Sequence, residues 1–346
     1  MVAPTIFWDI KDDSITFIDQ TKLPEVYETV QCTTVERLAE AIRRLEVRGA
    51  PALGVAGAYG VALSAQHHIN LPLGEFFANV KADAELLRST RPTAINLGWG
   101  IDRVLDAMQP SESVWDSAGC ARLEADIVHD EDVALCHAIG EHGAKLLPDT
   151  CTVLTHCNAG SLACAEWGTA LGVIRSAVEE GKKVQVFSCE TRPINQGSRL
   201  TAWELSEDNI PVTTIADAAA AYLMQKDMID VVIVGADRIT CDAVFNKIGT
   251  YMHAVTAQHH QIPFYVAAPL STFDTGRHAD EVIVEERDRE ELACCGSKHL
   301  MPENVPALNY AFDQTPLSLI SGIITEQGIF TGPFENEWWM DFEDSK

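Results

Sequence analysis

Apolar and polar side chains alternate from Thr5 to Gln20 around Lys11-Asp12-Asp13, the pattern of two short strands joined by a charged turn. An N-terminal β-hairpin is expected there. The period then lengthens: Val35, Leu38, Ala39, Ile42 and Leu45 share one helical face, and Thr33-x-x-Glu36 has the form of a capping box at its start. Pro51 suits the first turn of a second, small-residue-rich helix reaching about Ala65. Helical patterns over about 75–88 and 93–108 lead into the turn-rich Gln109–Ser117, where a domain boundary is expected.

A long helical connection, about 119–147, follows. Short apolar runs then alternate with helical stretches: Thr152–His156, Lys183–Ser188, Val212–Ile215, Asp230–Val234, Pro263–Ala267 and Glu281–Val284. Such alternation predicts βαβ units and a parallel sheet covered on both faces. The expected class is α/β. A mainly helical N-terminal domain with a small hairpin (1–117) precedes a Rossmann-like parallel-sheet domain (118–346), which starts with the long helix. Its acidic tail, Phe334–Lys346, carries Trp338, Trp339 and Phe342 and is expected to dock on the body or on a partner subunit.

Charge changes the list of partners. Fifty-one acidic against 25 basic residues leave −26, a field that repels phosphodiester backbones and anionic lipids. No nucleic acid and no membrane are expected as partners. The longest stretch without Asp, Glu, Lys or Arg, Gly49–Gly74, is too rich in Gly, Ala, Pro, His and Asn for a membrane span. Asp9, Lys11, Asp12 and Asp13 do not fit a secretory signal. The ten cysteines show no C-x-x-C pair and read as mostly buried thiols of a cytoplasmic protein.

Ligands of parallel sheets bind outside the carboxyl ends of the strands, so chemistry is sought at His156–Gly160, Ser188–Gln196 and Gly235–Lys247. Thr155-His-Cys-Asn-Ala-Gly-Ser leaves a strand through small residues and enters a helical pattern, where free amides and a helix dipole would favour an anion and lower the pKa of Cys157. On these residues alone a buried structural thiol is the plainer reading of Cys157. The apolar run Val231–Val234 delivers Asp237 to the mouth of the sheet as a candidate general acid or base. A helix cap, or a pair with Arg238, is the plainer alternative. Arg48-Gly49-Ala50-Pro51 and Arg91-Pro92-Thr93 each place a guanidinium before a helix start, a geometry for gripping phosphate. With Gln196, Asn246 and Lys247, these residues suggest a small phosphorylated, polyhydroxylated ligand. G-x-G-x-x-G, G-x-S-x-G and zinc-ligand spacings are missing, since His67-His68 and His259-His260 are merely vicinal, so neither metal nor cofactor is expected.

Arg48-Gly-Ala-Pro-Ala-Leu-Gly, Arg91-Pro-Thr-Ala-Ile-Asn-Leu, Thr155-His-Cys-Asn-Ala-Gly-Ser-Leu, Glu190-Thr-Arg-Pro, Gln196-Gly-Ser-Arg-Leu-Thr-Ala-Trp-Glu-Leu, Val234-Gly-Ala-Asp-Arg-Ile and Asn246-Lys-Ile-Gly-Thr-Tyr occur in one order. With Val305-Pro-Ala-Leu-Asn-Tyr-Ala-Phe-Asp-Gln-Thr-Pro they resemble the methylthioribose-1-phosphate isomerases over about residues 5–330. That group is shared with regulatory subunits of the exchange factor of translation initiation and with ribose 1,5-bisphosphate isomerases. The resemblance implies a homodimeric aldose-ketose isomerase of methionine salvage, with Cys157 and Asp237 as catalytic pair. By motif, Arg48, Gly49, Ala50, Arg91, Gly160, Gln196, Asn246 and Lys247 would bind the sugar phosphate. Isomerisation of 5-deoxyribose 1-phosphate or ribose 1,5-bisphosphate, or a non-catalytic regulatory role, are the alternatives. One departure stands out: Thr240-Cys-Asp-Ala-Val-Phe245 is a residue shorter than the family's usual link and is expected to border the site and affect the group accepted at C5.

Overall fold

The computed structural model describes residues 4–108, 113–296, 298–334 and 338. They fall into two units, one running to Ala138 and including Ala159–Gly172, the other comprising Ile139–Asn158 and the chain from Val173 onward.

In the first unit, Ile6–Asp9 (β1) and Ser14–Ile18 (β2) form the expected hairpin, in register Ile6↔Phe17 and Trp8↔Ile15, and Thr29–Cys32 (β3) adds a third antiparallel strand. The alternation of side chains buries Ile6, Trp8, Ile15 and Phe17. Helix Val35–Arg43 (α1) is capped by Thr34, not Thr33: Thr34 is extended and its hydroxyl accepts the Arg37 amide at 3.2 Å. Glu36 is thereby left in the first turn, beside the positive end of the helix dipole.

Ala50–His67 (α2) has Pro51 in its first turn and buries residues on every side, because α1, Leu73–Arg88 (α3) and Ile95–Ala107 (α4) pack around it. Among the described residues no helix is long and apolar enough to cross a membrane. The α2–α4 crossing relies on glycine: a Cβ on Gly100 would lie 2.0 Å from the Gly54 carbonyl oxygen. Gly100→Ala should therefore destabilise this unit by about 3 kcal/mol, the upper end for overpacking, because rigid backbone blocks the methyl. A lower denaturant midpoint with unchanged slope would show it; an unchanged midpoint would mean that the helices can part.

Val114–Ala144 (α5) begins inside the stretch read as turn, where Ser113 Oγ accepts the Asp116 amide at 3.4 Å; Gln109–Glu112 lie outside the described residues. The hairpin also anchors the segment after Gly160. Thr5 Oγ1 donates to Ser161 O at 2.7 Å and Gln20 Nε2 to Leu162 O at 2.7 Å.

The second unit is built on a seven-stranded sheet. Thr150–Thr155 (β4), Ala170–Glu179 (α6), Lys183–Cys189 (β5), Ala202–Glu207 (α7), Val212–Ile215 (β6), Ala219–Gln225 (α8) and Val231–Val234 (β7) alternate as expected. A hairpin of Arg238–Thr240 (β8) and Ala243–Lys247 (β9) precedes Thr250–His259 (α9) and Phe264–Ala267 (β10). Beyond come Phe273–Asp274 (β11), Arg289–Ala293 (α10), Cys294–Cys295 (β12), Lys298–His299 (β13), Phe312–Pro316 (β14), Gly322–Thr325 (β15) and Gly328–Thr331 (β16).

Strand order is β16-β15-β10-β7-β4-β5-β6, parallel throughout except that β16 runs antiparallel to β15. Every residue of β7 is buried, as a strand covered on both faces must be. The expected strand Glu281–Val284 is not one: Ile283 is 85% exposed, while Val282 and Val284 pack on a satellite cluster with Ala243, Phe245 and Ala279. Gly322–Thr325 takes the place beside β10 instead. A second sheet, β11-β8-β9-β14, carries the hairpin. Of the tail aromatics, Trp338 docks on this unit, donating Nε1–H to Cys241 O at 3.0 Å and packing edge-on against Phe334. Trp339 and Phe342 lie outside the described residues.

Candidate active site

Strands β4, β5 and β6 lead away from the middle of the sheet in one direction, β7, β10 and β15 in the other. The order therefore reverses between the neighbours β4 and β7, the position where open parallel sheets form a crevice. Cys157 follows β4 and Asp237 follows β7. Pairing of Val153 with Val231 and Leu154 with Val232 brings both strand ends to the same edge.

Cys157 sits in the left-handed region at φ 64°, and Thr191, at the end of β5, does the same at φ 64°. Non-glycine residues hold this conformation where surrounding bonds fix it. Those bonds are present. Thr191 Oγ1 accepts the Cys157 amide at 2.9 Å, and Thr201 Oγ1 donates to the Cys157 carbonyl at 2.6 Å. Asp217 accepts the amides of Thr191 and Arg192 at 2.7 and 2.8 Å. Behind the loop, Asn158 Nδ2 bonds Glu204 Oε1 at 2.8 Å, while Arg175 binds Glu204 at 2.8 Å and Asp208 at 2.6 Å.

The expected helix start after Cys157 is corrected by the structure. Ser161–Ala163 is one 3₁₀ turn, and α6 begins only at Ala170, so no helix dipole opens beside the thiol. Cys157 is 8% exposed, and bonds at its backbone, rather than a dipole, position it.

Asp237 precedes a strand, not a helix, and its amide donates to Phe245 O at 2.9 Å across the open end of the β8–β9 hairpin. Helix capping is thus excluded as its role, and Arg238 has Asp274 as an ion-pair partner at 3.2 Å. Asn246 and Lys247 lie on β9 at the same end, both buried. Asn246 Nδ2 bonds Thr250 Oγ1 at 3.0 Å, and Lys247 Nζ stands 4.7 Å from the centre of the Phe312 ring. Gln196 is buried at the start of the π-turn Gly197–Thr201, and its Oε1 has no hydrogen-bond partner among the described residues. A Cβ on Gly197 would meet Cys189 O at 1.7 Å, so glycine lets this turn press on the end of β5.

The altered link Thr240–Phe245 runs through the tip of the hairpin and ends beside Asp237, whose amide Phe245 O accepts. Cys241 and Asp242 form the closed tip of the hairpin, roughly 13 Å of strand away from Asp237 at about 3.3 Å per residue. The tip contacts Arg277, Ala279 and Trp338.

In the first unit, Arg48 is buried immediately before α2. Gly49, at φ 93°, leaves no room for a side chain, since a Cβ would lie 2.5 Å from Ala163 Cα. Ala50 opens the helix, Gly160 bridges Gly168, and Arg91 is half-buried ahead of α4.

Sequence reasoning missed a buried trio that begins at His156, next to Cys157 in the chain. His156 Nε2 meets Ile248 O at 2.8 Å, and a carbonyl only accepts, so the proton is on Nε2 and Nδ1 accepts from His253 Nε2 at 3.2 Å. Cys189 Sγ is 3.5 Å from His253. Burial lowers His156 to about 4, and burial with the neighbouring imidazole lowers His253 to about 3. The unfolded chain therefore binds more protons between these values and about 6.5, and stability from these groups is lost as pH falls through that window. Burial raises Asp313 and Asp132 to about 6, which acts in the opposite sense. His253→Gln should flatten the acid-side decline in unfolding free energy between pH 6.5 and 4; a slope equal to that of the unaltered chain would place the titration elsewhere.

Three further groups bring ligand-type atoms together among the described residues: Asp132, Cys136 and Cys164; Cys241, Asp242 and His278; and Glu290, Cys294 and His299. A groove of about 450 Å³ lies at the amino ends of β4 and β5, by Thr152, Lys183 and Asp230, away from Cys157. The chemistry-bearing side chains are at the other edge.

A sequence profile of the Initiation factor 2 subunit family matches residues 46–332. A methylthioribose-1-phosphate isomerase of Desulforamulus reducens is 48% identical over 95% of this chain and 96% of its own. The structure of 5-methylthioribose 1-phosphate isomerase from Pyrococcus horikoshii superposes with a TM-score of 0.92 at 39% identity, covering 100% of this chain and 97% of that one. A structure described as translation initiation factor eIF-2B, subunit delta, from A. fulgidus gives 0.87 at 54% identity, covering 96% and 97%. By the extent of the profile match and the identity of these relatives, the chain belongs to the Initiation factor 2 subunit family.

Proposed function

We propose that the chain is an aldose-ketose isomerase converting 5-methylthioribose 1-phosphate to 5-methylthioribulose 1-phosphate in methionine salvage. One observation carries the reading: a thiol and a carboxylate, Cys157 and Asp237, leave adjacent strands where the sheet order reverses. Relatives at 48% identity and a superposing structure bearing the isomerase name support it over the regulatory role that the eIF-2B relative suggests.

A sugar phosphorylated at its anomeric carbon cannot open to a free aldehyde, so opening needs an acid at the ring oxygen. Asp237, protonated, supplies that proton as the C1–O4 bond breaks. Hydrogen then passes from C2 to C1. Either it moves as hydride to a cationic C1 while Cys157 takes the proton of the C2 hydroxyl, or Cys157 removes the C2 proton to give an enol phosphate that is reprotonated at C1. Gln196, with its unpartnered buried oxygen, and Asn246 suit the sugar hydroxyls, and Lys247 suits the phosphate. Arg48, Gly49, Ala50, Arg91 and Gly160 are assigned to substrate binding by their motifs. We place the protein in the cytoplasm as a homodimer; the exposed Tyr251, Met252 and Val255 along α9 are apolar surface suited to a second copy.

The test is turnover of 5-methylthioribose 1-phosphate beside 5-deoxyribose 1-phosphate and ribose 1,5-bisphosphate. Fastest conversion of the first is expected, and a folded protein that converts none of them overturns the reading. In deuterium oxide, solvent deuterium at C1 marks the enol route and its absence the hydride route.

A further inference from the structure

The tip of the β8–β9 hairpin gathers three side chains that the isomerase reading does not use. We propose that Cys241, Asp242 and His278 form a site for one divalent cation of the zinc class. Cys241 Sγ lies 3.2 Å from His278 Nδ1, His278 Nδ1 lies 3.7 Å from Asp242 Oδ2, and one ligand atom from each of the three residues lies within 4.8 Å of the others. Metal bonds of about 2.0–2.3 Å at tetrahedral angles place ligand atoms about 3.4–3.6 Å apart. The first two separations bracket that range, and a small turn of the half-exposed Asp242 side chain closes the third.

The ligands are held ready for it. Asp242 Oδ1 takes the Ala279 amide at 2.9 Å and the Thr240 hydroxyl at 3.0 Å, which turns Oδ2 toward His278. The Cys241 amide bonds Arg277 O at 3.2 Å and its carbonyl accepts from Trp338, fixing the turn on both sides. The His278 amide is held by the Glu281 carboxylate at 2.8 Å; the His278 side chain also caps the following turn, and an ion would replace that bond. Cys241 is buried while the side chains of Asp242 and His278 are 48% and 70% exposed, so water can enter and complete a fourth position.

Mixed sulfur, nitrogen and oxygen donors select zinc and its neighbours over magnesium or calcium. A thiol binds the ion as thiolate, so binding displaces a proton and tightens as pH rises. The competing buried group, His156, Cys189 and His253, is already accounted for by its own hydrogen bonds. The site is independent of the isomerase reading, since it stands at the far end of the hairpin from Asp237.

Chelator-treated full-length protein titrated with cobalt(II) tests it. One equivalent per chain should raise a near-ultraviolet thiolate-to-cobalt band and visible d–d bands of a four-coordinate ion, both removed by zinc, with quenching of Trp338. Cys241→Ser should abolish the thiolate band, and His278→Ala, at an exposed position that leaves folding intact, should weaken binding at least about a hundredfold, the upper end of what even outer-shell changes cost. His299→Ala, in the other surface group, should change nothing. A wild-type protein without the thiolate band, or a band that survives both Cys241→Ser and His278→Ala, overturns the proposal.

Discussion

Turnover of 5-methylthioribose 1-phosphate should fall by about 10²–10⁴-fold in both Cys157→Ala and Asp237→Asn, the range that a positioned acid or base contributes. Neither change should unfold the protein. Cys157 is held through its amide and carbonyl, which alanine retains, and asparagine preserves the shape and the backbone bond of Asp237. The loss should appear in kcat with little change in KM, because the proton transfers occur in the transition state rather than on binding. If acid and base act on one step, the double variant should be no slower than the worse single variant by more than a few-fold. Full turnover in either single variant would remove that residue from the chemistry. A raised KM at unchanged kcat would instead make it a binding group.

Much of this arrangement was legible in the sequence because burial in a parallel sheet leaves a simple signature. Val231–Val234 is apolar at every position since both its faces are covered, and the first polar side chain after such a run must emerge at the strand end. Asp237 could be located in that way, and Cys157 likewise after Thr150–Thr155. Strand Gly322–Thr325 escaped because it has only four residues, flanked by others that read equally well as loop. Glu281–Val284 misled because alternating apolar residues look the same whether they pair in a ladder or lean on a satellite cluster. The helix dipole at Cys157 misled for a related reason: small residues permit a helix start but do not compel one. Arg175 and Glu204 lie 29 residues apart, and no local period announces that they will meet.

That buried pair carries a large expected effect on stability and on turnover together. Glu204 is fully buried between the Arg175 guanidinium and the Asn158 amide, so Glu204→Leu leaves a charge and a donor in the core short of a partner. Breaking a buried ion pair from one side costs about 3–5 kcal/mol, and Asp208, still bound to Arg175 at 2.6 Å, should hold the loss near 3 kcal/mol. Glu204→Gln, which can still accept from Asn158, should cost less. The network also reaches the proposed chemistry, since Asn158 bonds Thr201 at 3.2 Å and Thr201 holds the Cys157 carbonyl. Two roles can then be separated by the double variant Arg175→Met with Glu204→Leu. Replacing both charges with apolar side chains of similar volume is often neutral, so much of the stability should return. Turnover should return less fully, because Asn158 keeps Thr201 but not the Glu204 carboxylate, and Thr201, which holds the Cys157 carbonyl, loses that backing. Recovery of both together would mean that the network serves only the fold.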